Sequence, residues 1–569
     1  MYPTDNYLYY FVALGLLLLP PLILSIKKEF IKSVIYTSFI ITVLSLTFQF
    51  FRIFSGLLVF LSSVSLTILI LYFSDNDAKK IGKNQIFIFL IVLLASIFFF
   101  SYSLIPPDTW RAYLPWSRIL TVEKTIPAFH LETNKYYGIY YPPLLYSYVA
   151  YLFSLTGKFY ISIAHSVTIF FSASTFLLLL KFKKKKEIIS VASFLLFFNN
   201  IFFRTNSSVL QEIPLLFFTT CAFYYFFEYL ENKNKEDFIL LAISCSLCSL
   251  TKYSGIIISL IFFCWILYKR VNKNLVLIFI LFQVPIALWM FRNYYYYENP
   301  VFPLLNKYIG GKFYFKPIER KVWSEIPTAV NRAVMNLIKS LPLFFFAFIN
   351  IFRNFKKFEK KMVFVTFLIF LILLLIVFYP NVRYLFPFYG ILALYAGEEI
   401  YNLLQKVIDP VFKRINFRVG GVILIILLSI GIALKDKSYK NDEFEVLDLI
   451  EKNSMIFGVQ SPILIWYGEC TVLGYDDRSF LILNNGYMTD DYSILKEFDY
   501  VYDNSNADYI TKEKHEKFEE IFAKIEKDPD FKLIYNKNGI RVWRVICSKH
   551  IGAIPKDLYR KRENGETWR

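Results

Sequence analysis

Residues 238–268 read FILLAISCSLCSLTKYSGIIISLIFFCWILY, and Lys252 is the single charge in that run. Two apolar segments, 238–251 and 254–268, meet at Thr251-Lys252-Tyr253-Ser254-Gly255. Residues 86–105 and 362–379 are longer still and carry no charge. A helix needs roughly 20 predominantly apolar residues to cross a hydrocarbon core about 30 Å thick. Of the 569 residues, 56% are hydrophobic, 20% aromatic and 19% charged; soluble domains carry about 25% charged residues. These runs exclude an ordinary soluble protein and a single-anchor receptor. They also exclude a nucleic-acid binder despite the net charge of +18.

The chain is therefore read as an all-α polytopic membrane protein, with about 14 spans between 7–26 and 418–434. Residues 143–157 are apolar but too short for an ordinary span, and the positive-inside rule decides their case. If they do not cross, one set of connections holds Lys27, Lys28 and Lys32; Lys181 and Lys183 to Lys186; Lys233 and Lys235; Arg353 to Lys361; and Lys406 to Arg418. The opposite set then holds lone cations: Arg52, Arg204, Lys252 and Arg383. If they crossed, every later basic loop would change side. The expectation is a transmembrane domain over 1–434 with extracytoplasmic loops at 106–158 and 292–336. Beyond it, 435–569 is polar, with β-like runs at 455–458, 463–467, 500–503, 531–535 and 540–546 and helical patterns between them. That alternation predicts a C-terminal extracytoplasmic α/β domain. Cys245 and Cys248 have CxxC spacing but lie in an apolar helix, where Cys serves as a small hydrophobe. Cys470 and Cys547, in the polar tail, are able to pair if that tail is extracytoplasmic.

The lone charges on the outer side carry the chemistry. Asp108 follows Pro106-Pro107 at the end of a span; it is placed either to cap an interfacial helix or to deprotonate an acceptor hydroxyl. Glu212 opens the next outer-starting helix, where a carboxylate is favoured by the helix N-terminus whatever else it does. Lys252 breaks an apolar stretch on the side that should lack Lys; it either snorkels to the interface or faces a polar cavity. Arg292 closes a span, and Arg383 lies between two apolar helices, followed by Tyr384. Lys252, Arg292 and Arg383, with Tyr384, are candidate phosphate ligands, Arg adding bidentate geometry. Asp108 and Glu212 are the candidate catalytic carboxylates.

In order, Tyr113-Leu114-Pro115 near Asp108, Tyr141-Pro142-Pro143-Leu144, Glu212-Ile213-Pro214, Thr251-Lys252-Tyr253-Ser254-Gly255, Arg292-Asn293 with Glu298-Asn299-Pro300-Val301-Phe302-Pro303, and Arg383-Tyr384-Leu385-Phe386-Pro387 resemble the GT-C class of polytopic glycosyltransferases. The resemblance is to the superfamily of dolichyl-phosphate-mannose–protein mannosyltransferases and aminoarabinose transferases, over about residues 86–400. It implies an acid in the first outer loop, matched by Asp108, and a second acid matched by Glu212, in Glu-Ile-Pro where many relatives have Asp-Leu-Pro. Thr109 and Leu114 stand where relatives often have a second acid or a His. The implied activity is inverting transfer of a sugar from a polyprenyl-phosphate donor to a hydroxyl on a protein, glycan or lipid acceptor, on the extracytoplasmic side of the cell membrane. A base takes the acceptor proton, and fixed cations stabilise the leaving lipid phosphate. No cofactor is required; a divalent metal is an option at His130 and Glu132, though a lone loop His is more commonly solvated. The rival reading is a transporter or lipid-linked glycan flippase. It predicts internal repeats and charges near the midplane, whereas these charges sit at one face. A further rival, a membrane partner without chemistry, leaves the ordered motifs without a purpose.

Overall fold

The computed structural model describes residues 7–73, 113–124, 141–197, 209–302, 342–377, 382–412, 455–458, 471–474, 499–504, 522–537 and 539–546, with the single residues 199, 202, 205, 305, 309, 340, 446, 449, 450 and 496. Its helices are α1 (Tyr7–Leu24), α2 (Phe30–Phe50), α3 (Gly56–Phe73), α4 (Leu114–Glu123), α5 (Leu144–Thr156), α6 (Ile161–Leu179) and α7 (Lys186–Phe197). There follow α8 (Glu212–Asn232), α9 (Lys235–Thr251), α10 (Tyr253–Tyr268), α11 (Lys273–Phe282) and α12 (Val284–Tyr297). Then come α13 (Pro342–Arg353), α14 (Phe358–Val377), a 3₁₀ helix (Val382–Phe388) and α15 (Tyr389–Phe412).

By length and composition, α2, α3, α6 and α8 are able to cross a membrane; α11 and α12, bent by 45° at their break, are either one broken span or a re-entrant loop. Helices α5, α10 and α13 are apolar but shorter. The expected spans 86–105 and 418–434 lie outside the described residues. Apolar side chains point outward on the peripheral helices, as Leu57, Leu61 and Ile68 of α3 and Leu277 and Leu281 of α11 do. That is the face a lipid-embedded helix needs, and the chain is a membrane protein.

The short segment at 143–157 is the buried helix α5. Its first ten residues, Leu144 through Phe153, are all buried against neighbouring helices, and Gly157, at φ 63, ends it. Helix α6 is almost wholly buried. Cys221, Cys245 and Cys248 are free and buried where α8 packs on α9.

Ion pairs tie the lysine-rich connections together at one end of this body. Lys28 and Lys32 reach Glu236 at 3.0 and 2.5 Å, and Lys181 pairs with Glu29. Lys183 reaches Glu231 at 2.7 Å, and Lys184 reaches Glu398 at 3.2 Å. Glu231 is near the C-terminus of α8 and Glu212 is its first residue. With 21 residues, the helix holds them about 30 Å apart at 1.5 Å per residue. Glu212 therefore lies at the end away from the lysines.

Strands β1 (Met455–Gly458), β2 (Thr471–Gly474), β3 (Tyr500–Asn504), β4 (Phe531–Lys537) and β5 (Ile540–Val545) form one mixed sheet in the order β2-β1-β3-β5-β4. β1 pairs in parallel with β2 and β3, while β3–β5 and β4–β5 are antiparallel. Asp503 is buried and accepts from Arg541 Nη2 at 2.8 Å, and Trp543 stacks on Phe522. Strand β2 was not among the expected runs. The run at 463–467 lies outside the described residues, as do Cys470 and Cys547.

Candidate functional site

Glu212-Ile213-Pro214 starts a helix on local grounds. A first-turn carboxylate suits the positive end of the helix dipole, and Pro214 gives up an N–H that would have no intrahelical partner in the first turn. Lys252 is held by a break. Its backbone is extended (φ −157, ψ 152), and it caps the end of α9 and the start of α10 together. Gly255 makes that break possible: a Cβ there would lie 1.9 Å from the Cys248 carbonyl oxygen. Arg383 sits in the first turn of the 3₁₀ helix. Gly390, just beyond, lets this junction lie on α8, since a Cβ would come within 2.3 Å of Thr220 Oγ1.

These three segments bring their charges to one point. Lys252 Nζ donates to Glu212 Oε1 at 2.8 Å, and Arg383 Nε lies 2.9 Å from the same oxygen. Glu212 and Lys252 are buried, whereas the Arg383 side chain is 28% exposed. Tyr384 covers the ammonium, with Lys252 Nζ 4.7 Å from its ring centre. Two cations on one carboxylate leave one net positive charge, and Arg383 carries it to the surface. Glu212 Oε2 is buried without a hydrogen-bond partner among the described residues.

Arg292 enters through an intermediary. Its Nη1 donates to Asn293 Oδ1 at 2.8 Å, and its guanidinium stands 4.8 Å from the Trp289 ring and 5.2 Å from that of Tyr296. Asn293 Nδ2 donates to Tyr253 OH at 2.8 Å, and Tyr253 follows Lys252. The first outer loop arrives from the other side. Tyr113 OH donates to Gln211 Oε1 and Gln211 Nε2 donates to the Pro142 carbonyl, both at 3.2 Å. The Tyr141 ring lies 6.1 Å from that of Tyr253. Segments 113–116, 141–143, 211–212, 251–255, 292–302 and 383–384 thus form one continuous cluster. Asp108, His130 and Glu132 lie outside the described residues. Among the described residues no three His, Cys, Asp or Glu side chains gather as a metal site.

Gln211, Tyr253 and Asn293 had no role assigned from sequence, although Tyr253 and Asn293 stand within the motifs quoted above. Each is the immediate neighbour of a charged candidate, and adjacency to that charge is the signal that marks them.

A family model described as dolichyl-phosphate-mannose-protein mannosyltransferase (PMT) matches residues 136–297. That stretch holds Tyr141-Pro142-Pro143, Glu212, Lys252 and Arg292 but neither Asp108 nor Arg383. Among solved structures, the chain is similar to ArnT from Cupriavidus metallidurans in the apo state, at 12% identity and a TM-score of 0.56, covering 82% of this chain and 99% of that one. It is similar also to the same protein bound to undecaprenyl phosphate, at 13% identity and a TM-score of 0.55, covering 81% and 98%. No curated protein sequence matches the chain. With the helical body, the cationic cluster at one end and these likenesses together, the chain resembles GT-C glycosyltransferases of the PMT and ArnT kind.

Proposed function

We propose that this protein is a polytopic membrane glycosyltransferase that moves a sugar from a polyprenyl-phosphate donor to a hydroxyl acceptor on the extracytoplasmic side. The observation that carries the reading is the cluster in which buried Glu212 and Lys252 meet the partly exposed Arg383, with its excess positive charge at the end of the body away from the lysine-rich connections. A lipid phosphate complements that charge, and the family likeness over 136–297 and the ArnT complex with undecaprenyl phosphate support the same donor class. The polar segment from 435 onward is assigned to the same extracytoplasmic side.

In the proposed reaction the acceptor oxygen attacks the anomeric carbon from the face opposite the phosphate. The bond from that carbon to the phosphate oxygen breaks, and its electron pair leaves with the lipid phosphate. Configuration inverts. Asp108 takes the acceptor proton, a step worth about 10²–10⁴ in rate. Lys252, Arg292 and Arg383, with Tyr384, stabilise the charge that grows on the departing phosphate. Glu212 is the counter-ion that gathers Lys252 and Arg383 at one point. Fixed cations do what a divalent metal would otherwise do, so chelators should leave turnover intact.

The test is a transfer assay on membranes containing the protein, with a panel of labelled polyprenyl-phosphate sugars and acceptors identified by mass spectrometry. Protein-dependent release of polyprenyl phosphate with label on an acceptor is the expected result. Donors that cross the bilayer unchanged, with no sugar transferred, would instead mark a flippase.

A further inference from the structure

We infer that Asn293 is a positioning residue, holding the Arg292 guanidinium and the Lys252 turn in register so that both cations address one lipid phosphate. The inference rests on the proposed donor-phosphate site. Asn293 is fully buried and uses both faces of its amide: Oδ1 accepts from Arg292 Nη1 and Nδ2 donates to Tyr253 OH, each at 2.8 Å. Asn combines a donor and an acceptor in one short rigid plane, whereas an ionised Asp only accepts and an aliphatic side chain does neither.

Tyr253 passes the constraint on in two directions. Its backbone continues from Lys252 into α10, and its OH donates to the Phe302 carbonyl at 3.0 Å. That carbonyl is fixed by its own turn. Asn299 Oδ1 accepts from Val301 N at 3.0 Å, Phe302 N donates to the Asn299 carbonyl at 3.2 Å, and the Phe302 ring stacks on Tyr297 at 4.7 Å. The Arg-Asn pair, the nearby Asn-Pro-Val-Phe turn and the Lys-Tyr pair some forty residues earlier are therefore one hydrogen-bonded unit. Arg292 lies against Trp289 and Tyr296, and the bond to Asn293 adds a directional constraint to those ring contacts.

The test is binding of undecaprenyl phosphate to the purified full-length chain, for wild type, Asn293→Ala, Arg292→Ala, the double variant and Tyr253→Phe. Losing a hydrogen bond to a charged group should make Asn293→Ala weaken binding by about tenfold. If Asn293 acts in part through Arg292, the double variant binds more tightly than the product of the two single losses, and the loss that remains beyond Arg292→Ala alone is the share carried through Tyr253. Tyr253→Phe, which removes a single oxygen, should weaken binding by about threefold, and it carries the test if Asn293→Ala does not fold. Wild-type affinity in both Asn293→Ala and Tyr253→Phe, or losses that simply multiply in the double variant, would overturn the inference. A wild-type protein that does not bind undecaprenyl phosphate would overturn the donor site itself, and the inference with it.

Discussion

Lys252 Nζ stands 2.8 Å from Glu212 Oε1 with both side chains buried, and Arg383 Nε approaches the same oxygen at 2.9 Å. Removing one member of a buried ion pair strands the other's charge, at a cost of about 3–5 kcal/mol, whereas removing both partners together is far milder. Glu212→Gln and Lys252→Met should each lower stability by that order in detergent. The double variant should recover much of the loss, and a double-mutant cycle on thermal unfolding measures the coupling. Additive losses would mean that the two groups do not depend on each other.

The Lys252 turn depends on Gly255, where a Cβ would meet the Cys248 carbonyl at 1.9 Å. Backbone cannot swing aside as a side chain can. Gly255→Ala should therefore destabilise by about 1–3 kcal/mol and abolish most transfer by displacing Lys252. Gly15, which has open space around its Cβ position, is the control: Gly15→Ala should be neutral or slightly stabilising, since Ala is the better helix former.

These relationships show what the sequence made legible. The apolar runs and the lone outer-side charges were visible because charge is expensive in a membrane and stands out against an apolar background. Lys252, Glu212 and Arg383 were found that way. Their mutual pairing was not visible, since one carboxylate shared by two distant cations is set by how α8, the α9–α10 turn and the 3₁₀ segment pack. Gln211, Tyr253 and Asn293 were left without a role because neutral hydrogen-bonding residues carry no such contrast. The shortness of α10 follows from Lys252 itself, whose extended backbone divides what the apolar pattern nearly continues.

Asp108→Asn separates capping from catalysis, because Asn caps a helix about as well as Asp but cannot accept the proton. Turnover should fall by on the order of a hundredfold or more while donor binding changes little. Stopped transfer with unchanged binding of undecaprenyl phosphate is the expected pair of readings. Near-wild-type turnover would remove Asp108 as the base and leave Glu212 as the remaining candidate carboxylate.

Arg383→Lys keeps a positive charge but loses the planar fork and the Nε that faces Glu212. It should retain part of the donor affinity and should lie between wild type and Arg383→Ala. Equal loss in Lys and Ala variants would assign the effect to geometry alone.

The central claim is that this cluster binds a lipid phosphate, and the most direct measurement compares undecaprenyl phosphate with undecaprenol on the purified chain. The two ligands share the isoprenoid and differ in the phosphate. Wild type should prefer the phosphate by at least tenfold, a preference that falls steeply in Arg383→Ala, since charge-assisted hydrogen bonds contribute roughly 1.5–3 kcal/mol each. Equal binding of phosphate and alcohol by wild type, or a preference that Arg383→Ala leaves intact, would contradict the account.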